Sequence, residues 1–332
     1  MMKRTFLIVF AALVTSGAPA QHFFSLGENR QHHFSRTVPP GNYSGIAWLG
    51  GDRYAVADDK SATDGFRIFR IEIDSLSGDI RNVEDEGFMS SAAPNRDQEG
   101  IAFVPSTGTL FVCGEADGRI LEYSLDGRHT GRSIALPDCF GRVAAGYGLE
   151  SLTYNAVTGR FWTTSESTLP ADGPAATAGS TVRNRLRLQS FGADLRPAEW
   201  YWYEMDAPTA RKKAARYAFG VSELCALDDG RLIVLEREFF VPRRKIGAYV
   251  AVSLYAVDPS SARPGERLDK VLLSSFRTRL SLFGRSLANY EGMCLGPSLG
   301  NGNRILILVS DSQNQYRGVL KDWFKTFVIR PQ

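Results

Sequence analysis

The sequence predicts an all-β chain folded as a propeller of four-stranded blades. Three observations predict it: a recurring short motif, apolar runs rich in β-branched and aromatic residues, and abundant turn glycine. The motif reads SGIA at 44–47, EGIA at 99–102, ESLT at 150–153, SELC at 222–225 and EGMC at 291–294. Each copy leads through a Gly- or Asp-containing turn into a second apolar run ending in an acid, over 53–58, 110–115, 161–166, 232–236 and 305–311. The copies start about 50 to 70 residues apart, room for one blade each with loops of variable length. The 32 glycines among 332 residues exceed the usual share of about 7% and favour tight turns over long helices.

Further strands are expected, in order, at 66–73 and 80–83, 120–125 and 132–136, 186–191 and 200–205, and 249–257 and 268–276. The fifth unit supplies only one more, at 326–329. Its missing strand is expected near the N-terminus, at 35–38, where it would complete the last blade and leave no open sheet edge. Five blades are favoured; six follow if 222–290 holds two merged units. Only 209–216 has helical character.

Residues 1–20 have the form of a cleaved signal peptide. Lys3 and Arg4 precede an apolar run over 5–14, and Ala18-Pro19-Ala20 supplies the cleavage site. That run is too short to cross a bilayer. The expectation is an exported chain, periplasmic or secreted, with 21–332 as one domain and no membrane span. A net charge of +3 gives no field that recruits nucleic acid. Cys113, Cys225 and Cys294 sit in apolar runs and are expected as buried free thiols; only Cys139, in a loop, invites a disulfide.

The acids carry the functional argument. First and second strands of a blade are antiparallel, so the start of one and the end of the other share a face. Glu99, Glu150 and Glu291 begin first strands, whereas Ser44 and Ser222 hold that place in the first and fourth units. Asp58, Glu115, Glu166, Glu236 and Asp311 end second strands, an acidic column in five units of five. These carboxylates are expected around one mouth of the central channel, on the face that carries the long segments 167–181, 207–221, 237–247 and 312–324. Crowded carboxylates repel unless cations intervene. A hard divalent ion such as Ca²⁺, which takes about six to eight oxygen ligands, suits the second column. Alternatively Arg119, Arg237 and Arg317, which follow second-column acids, pair with them.

Basic residues fall on the same face, at Arg211, Lys212, Lys213 and Arg216, and at Arg243, Arg244 and Lys245. They read first as solvated loop charges, and beside a metal site they suit a small phosphorylated substrate. Arg183, Arg185 and Arg187 alternate as edge protection would. The run Trp200-Tyr201-Trp202-Tyr203 reads as packing between blades.

The segment from Gly220 to Leu224 with 227–238, and Asn289 to Met293 with Val309-Ser310-Asp311, resemble the phytase-like ("esterase-like activity of phytase") family of exported bacterial proteins. The resemblance spans about residues 40–330. Together with the acid rim and the neighbouring basic loops it suggests a metal-dependent phosphoester hydrolase, for which the candidate catalytic carboxylates are Glu99, Glu150 and Glu291 and the candidate substrate contacts Arg119, Arg237 and Arg317. A non-catalytic propeller that captures a ligand or protein is the alternative. Other chemistries are disfavoured. His22, His32, His33 and His129 all lie away from the motif, and G-x-S-x-G, Walker A and G-x-G-x-x-G are absent.

Overall fold

The computed structural model describes residues 23–141, 148–282 and 285–331. The expected signal peptide over 1–20, and with it His22, lies outside them. The chain enters on β1 (Ser25–His33). Blade one follows as β2 (Tyr43–Gly50), β3 (Arg53–Asp58), β4 (Thr63–Ile73) and β5 (Ile80–Pro94). Blade two is β6 (Gln98–Val104), β7 (Thr109–Gly114), β8 (Arg119–Ser124) and β9 (His129–Ile134). Blade three is β10 (Leu149–Asn155), β11 (Arg160–Ser165), β12 (Arg185–Phe191) and β13 (Pro197–Glu204). Blade four is β14 (Arg216–Ala226), β15 (Leu232–Val241), β16 (Tyr249–Val257) and β17 (Lys270–Arg279). Blade five is β18 (Asn289–Ser298), β19 (Arg304–Asp311) and β20 (Trp323–Arg330), completed by β1 as its outermost strand. The molecule is a five-bladed propeller, closed by its N-terminal strand.

Burial follows position in the blade. Second strands such as β15 and β19 are packed on both faces and read as nearly continuous apolar runs, whereas the outer β9 is largely exposed. Five apolar clusters hold the ring, one between each pair of adjacent blades. Phe69, Ile307 and Phe324 join blades five and one, and Phe111 and Phe161 meet edge-on between blades two and three. First strands also touch around the ring, β2 with β6, β6 with β10, β10 with β14, β14 with β18 and β18 with β2. No helix among the described residues is long and apolar enough to cross a membrane.

Three expectations are corrected. The closing strand is Ser25–His33 and not 35–38, which turns back on itself as Thr37 and Val38 donate to the Phe34 carbonyl. The segment SLGENRQHH is an outer strand with few apolar residues, so apolar content did not mark it. The stretch 209–216 forms no helix; the Glu238 carboxylate takes the N–H groups of Thr209 and Ala210, and Arg216 opens β14. Arg185 and Arg187 lie on the third strand and not on an edge. Arg185 stacks 3.9 Å over Trp202, and Arg187 lies 4.7 Å over both Trp200 and Trp202. Tyr201 and Tyr203 are the buried half of that run. The β13 edge is covered by backbone bonds between Trp202 and the 266–268 segment.

Candidate functional site at the channel mouth

One backbone device aims side chains into the channel. All five first strands carry a β-bulge at the motif's first two positions, between Tyr43 and Ile46, Gln98 and Ile101, Leu149 and Ser151, Val221 and Glu223, and Tyr290 and Gly292. A bulge re-aims the extra residue out of the ladder. In blades three and five the extra residues are Glu150 and Glu291. Ser44 and Ser222, at the same place in blades one and four, instead donate to the Gln98 and Tyr290 carbonyls of the following blades at 2.6 and 3.3 Å.

The mouth gathers Glu99, Glu150, Glu291, Glu115, Glu166 and Asp311, as expected, together with Asp59 and Asp97. Carboxylate oxygens of Asp59, Asp97 and Glu99 all lie within 4.8 Å of one another. Glu99 is only 7% exposed, and its carboxylate has no hydrogen bond among the described residues. Asp59 has a buried Oδ1 with no partner. Glu115 accepts from the Gly148 N–H at 3.4 Å, and Asp311 from the Gln313 N–H at 2.6 Å.

Two expected members of the acidic column point elsewhere. Asp58 turns into its own blade, towards the Asn42 N–H at 3.3 Å and Arg67 at 3.5 Å, and the next residue, Asp59, takes the place at the mouth. Glu236 turns between blades, accepting from Tyr203 at 2.7 Å and Lys270 at 2.6 Å. Its neighbour Arg237 faces the mouth instead. The column therefore holds four acids and one arginine. Arg237, 5% exposed, donates to Glu166 at 2.5 Å, to Asn289 at 3.1 Å and to Glu291, linking blades three, four and five. Lys60 pairs with Asp59 at 3.2 Å and with Asp97. Arg119 and Arg317 do not reach the mouth carboxylates: both are exposed and make no ion pair among the described residues.

Burial above all, with repulsion from neighbouring acids added to it, raises the Asp59, Glu99, Glu150, Glu291 and Asp311 carboxyls above the usual carboxylate range. Burial and then Glu291 push Asp59 up to about 7, against the pull of Lys60. Burial lifts Glu291 to about 8 although Arg237 opposes it, and Asp311 to about 7. Glu99 and Glu150 are raised by burial first, and then by Glu150 and Glu166 respectively.

A family model described as phytase-like, esterase-like activity of phytase, matches residues 38–313. The chain belongs to this family. No curated protein matches it. Similar solved structures include an endo-arabinase from Bacteroides thetaiotaomicron, 13% identical, covering 92% of this chain and 98% of that one with a TM-score of 0.47. A luciferin-regenerating enzyme (12% identical, TM-score 0.45) and a streptogramin B lyase (12%, 0.38) each cover 92% of this chain and 98% of theirs. With scores below 0.5, these likenesses say nothing of chemistry here.

Below the mouth of this phytase-like propeller lies Glu223, fully buried. Its Oε1 accepts from the Leu152 N–H at 3.1 Å and the Leu224 N–H at 3.0 Å, and its Oε2 has no partner. Burial and the nearby Glu223 together raise the Cys113 and Cys225 thiols. All four cysteines are free, and Cys113, Cys225 and Cys294 are buried. The motif itself carried the signal for Glu223: its second position is Gly45, Gly100, Ser151 and Gly292 in the other blades, so one long side chain sits in a column of small ones. Asp59 and Asp97 had a weaker signal, an acid one residue beyond Asp58 and one two residues before Glu99.

Proposed function

We propose that the channel mouth is a divalent-cation site, calcium being the expected ion, used to hydrolyse small phosphoesters. The observation that carries this reading is the trio Asp59, Asp97 and Glu99, whose oxygens converge while the Asp59 Oδ1 is buried without a partner. Hard carboxylate oxygens on more than one blade fit such an ion. Those three residues would hold it; when bound, it supplies positive charge that binds an anionic ester and polarises the phosphoryl oxygen. Arg237 is fixed by Glu166 and Glu291 and neutralises part of the negative charge beside the trio. Glu291, whose Oε1 is engaged by Arg237 and Asn289, holds a proton near neutral pH on its other oxygen and can pass it to a departing alkoxide. Glu150 is the second candidate for proton transfer, again through burial among acids.

Lys60 favours a second reading. It already neutralises Asp59 and Asp97 in part, as a non-catalytic binding propeller with an ion-paired rim requires. The two readings separate in one assay. Phosphomonoesters, phosphodiesters and carboxyl esters are turned over with Ca²⁺, with Mg²⁺ and with chelator, by the wild type and Glu291→Gln. Hydrolysis of a phosphoester that chelation stops and Glu291→Gln slows supports the enzyme. No turnover of any ester with either ion supports the binding propeller.

A further inference from the structure

We propose that an apolar pocket beside the mouth binds a small organic anion, an aryl or short acyl group carrying a phosphate or carboxylate head. The pocket is a separate feature, and the proposal stands whether or not the mouth holds a cation. It lies between the open end of the β14–β15 pair, where Arg216 faces Val241, and the segment that follows β19, on the same face as the mouth carboxylates. Its volume is about 320 Å³, and Phe239, Val241, Ala248, Leu287, Val319 and Leu320 line it. That is the size and character of a small-molecule site, at about 300–1,000 Å³.

Charge decides which molecule. Arg216, Arg243, Lys245 and Arg317 also line the pocket, and no carboxylate does. None of the four makes an ion pair among the described residues. Three of them gather on the Tyr316 ring, with Lys245 at 5.1 Å, Arg317 at 5.3 Å and Arg216 at 5.8 Å from its centroid. Like charges brought to one ring without counter-ions are complementary to an anion. The apolar interior beneath them requires that the anion carry an apolar body.

The walls are built rather than loose. Gln313, Asn314, Gln315 and Arg317 take left-handed backbone conformations, with φ of 47°, 54°, 53° and 52°, and Lys245 does so on the facing loop at 62°. Residues other than glycine and asparagine rarely hold such conformations unless their surroundings enforce them, and such strain clusters at ligand clamps. Here the Asn314 N–H donates to the Gly41 carbonyl at 3.1 Å, and the Gln315 amide to Asp322 at 2.7 Å.

The test uses naphthyl phosphate as probe, with inorganic phosphate and naphthol as its two halves, titrated by calorimetry into the full chain in excess chelator. Chelator removes any contribution of a cation at the mouth, so failure of the cation site leaves this result readable. Naphthyl phosphate is expected to bind at least about tenfold more tightly than either half, because head and body are both engaged. The pair Lys245→Gln and Arg317→Gln is expected to weaken it about tenfold, and Val319→Trp to abolish it by filling the pocket. The two charge changes are on exposed side chains and leave folding intact, so they decide the matter even if Val319→Trp does not fold. Absent probe binding, equal binding of inorganic phosphate, or unchanged affinity in the charge variant overturns the proposal. So does co-sedimentation with phosphatidylglycerol vesicles that the charge variant abolishes, which assigns the patch to a membrane surface.

Discussion

The guanidinium of Arg237 lies 2.5 Å from the carboxylate of Glu166, an ion pair that joins two blades at the channel mouth. The same guanidinium also pairs with Glu291 on a third blade, so one buried cation serves two acids. Removing it leaves the Glu166 carboxylate without its cation and the Glu291 carboxyl without its donor, in a buried site. Arg237→Met is expected to cost about 3–5 kcal/mol, the range for breaking one side of a buried pair. Equilibrium urea unfolding measures it. A loss below about 1 kcal/mol, as for an exposed pair, means that the acids are already satisfied otherwise.

Glu223 gives an opposite result for two substitutions at one position. Glu223→Gln keeps an oxygen for the Leu152 and Leu224 N–H groups and removes a group whose charged form burial disfavours. It is expected to be neutral or stabilising. Glu223→Ala leaves two buried donors unsatisfied and opens a void, and is expected to cost about 2–4 kcal/mol. Thermal unfolding of the two variants side by side checks the difference.

The mouth predicts a pH dependence. Asp59 and Asp311 are pushed up to about 7 and Glu291 to about 8, by burial first. In the unfolded chain these groups release their protons near pH 4. Between that pH and about 8 the folded chain binds more protons than the unfolded one, so stability falls as pH rises. This contribution is fully present below about pH 4 and is lost as pH passes through 7 and 8. In chelator, the melting temperature is expected to be several degrees lower at pH 8.5 than at pH 5. A higher value at pH 8.5 contradicts it.

Close approach of inner strands predicts a backbone lesion. A Cβ at Gly100 would lie 2.2 Å from the Leu152 nitrogen and 2.5 Å from the Ser151 carbonyl carbon. Neither is a side chain that can move aside. Gly100→Ala is expected to cost about 1–3 kcal/mol, the usual penalty for overpacking, read by urea unfolding.

The repeat made the ring legible because each blade buries its inner strands on both faces, and such strands carry continuous apolar runs. The outermost strand Ser25–His33 lacked that mark. At the mouth, Glu99, Glu150, Glu291, Glu115, Glu166 and Asp311 were legible from position alone. Asp58 and Glu236 were not, because the side on which a strand's last residue projects depends on local register that sequence does not display. That register brings Asp59 and Arg237 to the mouth in their place. The bulges that aim Glu150 and Glu291 into the channel insert a residue without changing residue type.

The most direct measurement is the melting temperature at pH 8.5 with saturating Ca²⁺ against the same protein in chelator. A ligand at a hundredfold excess over its Kd adds about 2.7 kcal/mol to the folded state. Calcium is therefore expected to raise the melting temperature by several degrees in the wild type, by much less at pH 5, and not at all in Asp97→Asn with Glu99→Gln. An unchanged wild-type melting temperature at pH 8.5 contradicts the cation site and leaves the mouth as a ring of acids held by Arg237 and Lys60.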